Sequence, residues 1–107
     1  MPTYNKLVRD KIPEIIKEDG KSFTSKILSN EEYRDSLYRK LVEEVEELIS
    51  TDSSSEVVEE AADVIEVIEA LIKLNGSTIQ EVEQVKADKK DRRGGFDKRI
   101  FLQEVSG

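Results

Sequence analysis

Apolar residues recur at helical spacing in two long stretches, and polar start signals precede them. Leu37, Leu41, Val45 and Leu48, with Tyr38 and Ile49 beside them, share one side of a helix over 30–50. Val57, Ala61, Val64, Ile68, Leu71 and Ile72 do the same over 54–75. A further helix is expected over 78–92, and a short one over 10–18 that tolerates Pro13 in its first turn. Ser29-Asn30-Glu31-Glu32, Ser53-Ser54-Ser55-Glu56 and Ser77-Thr78-Ile79-Gln80 each read as a capping box, and Gly20, Gly76 and Gly94 as helix stops. The polar run "TDSSS" at 51–55 is a short connection, which makes the two long helices antiparallel neighbours. The end, "FDKRIFLQEV" over 96–105, is rich in β-formers and suits a short strand or an extended arm. The pattern therefore predicts one all-α domain over 1–107, a bundle of about four helices with a short C-terminal arm.

The acidic residues depart from this simple picture. On a wheel with Leu41 as origin, Glu43 and Glu46 face away, whereas Glu44 falls at roughly −60° and Glu47 at roughly −120°. With Val57 as origin, Glu59 and Glu66 face away, while Glu60 and Asp63 take the same two angles, roughly −60° and −120°. Both helices thus place an acidic pair at i, i+3 on the shoulder of the apolar face. An ionised carboxylate in such a place costs several kcal/mol unless compensated, and four of them repel one another. Lys40 is the one base nearby on its own helix. A divalent cation held by Glu44, Glu47, Glu60 and Asp63 is the simpler compensation.

Composition narrows the chemistry. The chain has no histidine and no cysteine, so imidazole catalysis, disulfides and thiolate or histidine zinc sites are excluded. Any metal must sit among oxygen ligands, which favours Mg²⁺, Mn²⁺ or Ca²⁺. A net charge of −7 argues against nucleic-acid binding, and no apolar run is long enough to span a membrane. Without a signal-peptide pattern at its start, the chain is expected in the cytoplasm. Only 36% of the residues are hydrophobic and 38% are charged, a thin core that suggests a homodimer or homotetramer.

At these residues the chain resembles a known superfamily. "EEVEE" followed by "EAAD" is similar to the EExxE…ExxD signature of the all-α nucleoside triphosphate pyrophosphohydrolases, which include MazG-type proteins and phosphoribosyl-ATP pyrophosphohydrolase. Glu44 and Glu47 match the first pair, Glu60 and Asp63 the second. "YNKLVRDKIPEII" and "KKDRRGGFDKRIFL" also look like small MazG-related, phosphoribosyl-ATP pyrophosphohydrolase-like proteins, so the likeness covers nearly the whole chain. It implies an oligomeric helical bundle that binds Mg²⁺ and cleaves a nucleoside triphosphate between the α and β phosphates, giving NMP and pyrophosphate. Cleaning the nucleotide pool is the role that would follow. Glu44, the most inward carboxylate, is the candidate for activating water, with Glu43 beside it in reserve.

A polyphosphate also calls for protein cations. Residues 86–99 hold seven of the seventeen basic residues. "RRGGF" can set guanidinium forks and backbone N–H groups against phosphate oxygens, so Lys89, Arg92 and Arg93 are candidate substrate ligands. Helix-dipole compensation accounts for Lys86. Phe96 suits either base stacking or the core. Lys6 and Arg9, with Lys11, form a second basic group suited either to substrate or to salt bridges at a helix end. The competing reading of the whole chain is a non-catalytic helical oligomerisation or regulatory module that keeps the acidic scaffold.

Overall fold

The computed structural model describes residues 4–107; residues 1–3, the start of the stretch read for a leader, lie outside them. The order is α1 (Ile12–Glu18), α2 (Asn30–Ile49), α3 (Ser54–Leu74) and α4 (Ile79–Arg93), each within about two residues of its expected span. The all-α bundle follows from these four helices.

The start signals do what their chemistry suggests. Ser29 Oγ accepts the Glu32 N–H at 3.2 Å and Glu32 Oε1 accepts the Ser29 N–H at 3.2 Å, a complete capping box. Ser53 caps α3 through the Glu56 N–H, but Glu56 reaches back to the Asp52 N–H instead of that of Ser53. The cap of α4 is Thr78, receiving the Glu81 N–H at 3.2 Å, one residue later than the Ser77 box implied. Pro13 sits in the first turn of α1, where its missing N–H costs nothing. At Gly76 (φ 82°) the chain closes α3: Gly76 N–H donates to Lys73 O and Ser77 N–H to Ile72 O. A side chain there would be strained in the left-handed region.

Helices α2 and α3 pack against each other across the four-residue connection 50–53 and form the core. Leu37, Val67 and Leu71 are its buried centre, with Leu7, Tyr33, Leu41, Ala70 and Leu74 around them. This seam is rotated from the centre the wheel gave. Relative to Val57, Val67 and Leu71 lie at roughly −80° and −40°, towards the acidic shoulder. The apolar arcs are wider than one neighbouring helix can cover, so their far edges stay in solvent. Tyr38, Val42 and Ile49 on α2, and Val57, Val58 and Ile65 on α3, are exposed, which corrects the inward placement of Tyr38, Ile49 and Val57.

Helix α4 touches α3 and buries none of its own residues. After it the chain forms no strand over the described residues, so the strand reading of 96–105 gives way to an irregular arm. Phe96 is 97% exposed, which removes its core option, and Ile100, Phe101 and Leu102 are exposed with it. The arm's apolar side chains are not packed on any face among the described residues.

Candidate metal centre

The site grows from the seam. Because α2 and α3 meet on the acidic side of their arcs, residues one turn apart on each helix face the same gap. Glu44 of α2 is only 7% exposed, Glu60 of α3 is half-buried and Glu47 is exposed. One oxygen from each of these three lies within 4.8 Å of the others. One oxygen of Glu44 and one of Glu60, Oε2 in each, are shut off from solvent and have no hydrogen-bond partner among the described residues.

Such oxygens are costly to leave alone. Burial raises the Glu44 carboxyl above its ordinary range, and repulsion from Glu47 adds to it, while Lys40 pulls the other way. Burial likewise raises Glu60, followed by the closeness of the Glu47 carboxyl and repulsion from Glu47, Asp63 and Glu44. A group of hard oxygen donors, two of them buried and unpartnered, fits Mg²⁺ or Mn²⁺ and suits no softer metal.

Asp63 does not join the three. Its Oδ1 accepts a hydrogen bond from Arg9 Nη2 at 2.6 Å, and Arg9 Nη1 lies 3.8 Å from Glu66. The fourth expected ligand therefore faces a guanidinium instead of its carboxylate neighbours. Two more cations border the site. Lys40 Nζ lies 3.4 Å from Glu44 Oε1 and 3.6 Å from Glu43 Oε1, and Lys6 Nζ lies 3.6 Å from the same Glu43 oxygen. Helix-local reasoning identified Lys40 but missed the compensation by Lys6 and Arg9, which lie before α1. It set Glu43 and Glu66 on the solvent side, where Glu66 is indeed exposed, and each is in addition paired with a base. A hint was available in the sequence: Leu7 is an apolar residue flanked by Lys6 and Arg9, and it docks on the core between them.

The basic segment stands apart. Lys89, Arg92 and Arg93 are exposed on α4, and among the described residues they form no ion pair. They end α4 as its dipole prefers, with Gly94 N–H donating to Lys90 O at 2.8 Å. Among the described residues no helix is long and apolar enough to cross a membrane.

Comparison with known proteins bears on this arrangement. A family model described as phosphoribosyl-ATP pyrophosphohydrolase matches residues 2–90, a span that includes all four acidic positions and ends just before Arg92. A protein of Mycolicibacterium smegmatis, itself uncharacterised, is 43% identical over 53 residues, which is 50% of this chain. The match covers 54% of that protein, so the chain spans about half the length of the curated relative it matches. No solved structure matches.

Proposed function

The chain belongs to the phosphoribosyl-ATP pyrophosphohydrolase family, and from that premise we propose that it is a divalent-metal-dependent nucleoside triphosphate pyrophosphohydrolase. Family membership implies hydrolysis of a phosphoric anhydride bond; the reading adds the triphosphate class and the magnesium requirement. Cleavage falls between the α and β phosphates, and the products are NMP and pyrophosphate. The observation that carries it is the convergence of Glu44, Glu47 and Glu60, with two buried oxygens that no group among the described residues satisfies.

Each residue then has a task. Glu44, Glu47 and Glu60 hold Mg²⁺, or Mn²⁺ in its place, and Asp63 is their fourth partner. The ion, when bound, neutralises phosphate charge and orients the displacement. Glu44, the most deeply buried of the carboxylates, takes the proton from the attacking water, which supplies the base that a histidine-free chain must find among its carboxylates. Lys40, between Glu43 and Glu44, keeps both side chains aimed. Lys89, Arg92 and Arg93 are the proposed phosphate ligands, with Lys6 and Arg9 at the mouth of the site. The setting proposed is the cytoplasm, since a chain without cysteine gains nothing from an oxidising compartment.

The test is pyrophosphate release from a panel of NTPs, dNTPs and phosphoribosyl-ATP, with and without Mg²⁺. Release from at least one substrate only when Mg²⁺ is present, lost in Glu47→Gln, is the expected result. Equal silence across the panel, with Mg²⁺ as without it, would sink the enzyme reading and favour the oligomerisation module.

A further inference from the structure

Residues 4–11 precede the first helix, yet they are fixed across the acidic seam at three points. Leu7 packs on the core, Lys6 pairs with Glu43 on α2, and Arg9 pairs with Asp63 and Glu66 on α3. The segment is a strap from one helix to the other, and the Arg9 carbonyl accepts the Ile12 N–H at 3.1 Å where α1 begins. A pocket of about 60 Å³ remains between the strap and α2, beside Lys40 and Glu43. Apart from Leu7, what holds the strap is ionic and more than half solvated at Arg9, whose side chain is 57% exposed. Contacts of that kind open at low cost.

The most telling contact is the one with Asp63. Three carboxylates crowd together without a base on Glu47 or Glu60 among the described residues, while the fourth is turned to a guanidinium at 2.6 Å. While its Oδ1 holds Arg9, Asp63 stands outside the group whose oxygens converge, so joining a cation there means turning away from the guanidinium. We propose that Arg9 is a built-in competitor for the metal centre: it occupies Asp63 in the metal-free protein and gives it up when a divalent ion enters. Arg9 is then a positioning residue that acts through Asp63. It balances the charge of the carboxylates and lowers their affinity for a cation. This rests on the metal-dependent reading above and adds a residue to it.

The experiment is Mn²⁺ binding to the nucleotide-free full chain, followed by calorimetry and by the spin-resonance signal of free Mn²⁺. The variants are Arg9→Gln, Lys6→Gln, Asp63→Asn and the Arg9→Gln/Asp63→Asn double. Circular dichroism confirms that each remains helical. Arg9→Gln should bind Mn²⁺ about threefold tighter than wild type, the scale of losing one solvated ion pair. Lys6→Gln, which frees only Glu43, should change affinity by a smaller factor. In the Asp63→Asn background the Arg9 substitution should have no further effect, because Arg9 acts through that carboxylate. Unchanged or weaker binding by Arg9→Gln overturns the proposal. So does tightening that persists in the Asp63→Asn background, which would make Arg9 only part of the general field. Absence of Mn²⁺ binding in wild type and every variant would instead remove the metal reading, and this inference with it.

Discussion

Glu44 and Glu60 meet across the α2–α3 seam, and each buries one oxygen, Oε2, that has no hydrogen-bond partner among the described residues. Lys40, on the other oxygen of Glu44, offsets part of the arrangement. The metal-free fold therefore carries a local penalty at the position where a cation would remove it.

That penalty predicts opposite effects of one substitution in two conditions. Glu60→Gln keeps the shape and removes one charge, so in EDTA the variant should melt several degrees above wild type. With millimolar Mg²⁺ the wild type should rise and the variant should not, so the order reverses or closes. Thermal melts of both proteins with EDTA and with Mg²⁺ decide it. A variant that melts lower than wild type in EDTA would mean that Glu60 stabilises the empty seam.

How far the sequence carried this result depends on the distance over which each feature is determined. Caps, stops and helix spans are local, and they were readable to within a residue or two; the Ser77 box missed because Thr78 and Glu81 make the same pairing one step later. The angular offset of Glu44 and Glu60 was also readable, since it needs only helical geometry. The diversion of Asp63 was not, because its partner Arg9 lies 54 residues away and no periodicity connects the two. The rotation of the seam escaped for a similar reason. A wheel shows the whole apolar arc, and only a neighbour decides which part of it is covered.

The uncovered part leads to a proposal about assembly. The radius of gyration is 18.6 Å, against about 13 Å for a compact chain of this length. Tyr38, Val42, Ile49, Val58 and Ile65 lie exposed on the same side of the two arcs, and the arm adds Phe96, Ile100 and Phe101. We propose that a second copy covers this face, as a homodimer or within a homotetramer. Sedimentation at micromolar concentration should show at least twice the 12.2 kDa monomer mass, and Ile65→Glu should shift it towards monomer. A wild-type monomer under those conditions would leave the apolar face unexplained and the assembly proposal wrong.

The start of α2 gives a pH prediction whose sign is opposite to that of acid crowding. Glu32 is held below its ordinary 4.5, first by its hydrogen bond to the Ser29 backbone, then by the Ser29 hydroxyl and Lys26. A carboxyl depressed in the folded state adds stability above its unfolded value and loses it as pH falls through the folded one. Glu32→Gln retains the capping geometry without the charge. It should be less stable than wild type at neutral pH, and the gap should close as pH drops below 4.5. Denaturant midpoints at several pH values measure this. A gap independent of pH would assign the effect to side-chain shape.

The last prediction separates metal from phosphate. Arg92 and Arg93 end an exposed helix with no partner of opposite charge among the described residues, so their charge is free for a ligand. They also lie past residue 90, where the family match ends. Contacts made equally in ground and transition states appear in KM, whereas loss of the metal ligands appears in kcat. Arg92→Gln or Arg93→Gln should raise KM by up to about tenfold, the value of one charge-assisted hydrogen bond, and less at high salt. Glu47→Gln should instead lower kcat with little change in KM. Lys73→Gln and Lys86→Gln, on exposed helix surface, are the controls and should match wild type. If both arginine variants behave like these controls, the basic end of α4 only answers its helix dipole. The phosphate ligands would then have to be the strap residues Lys6 and Arg9, already seated at the edge of the acidic seam.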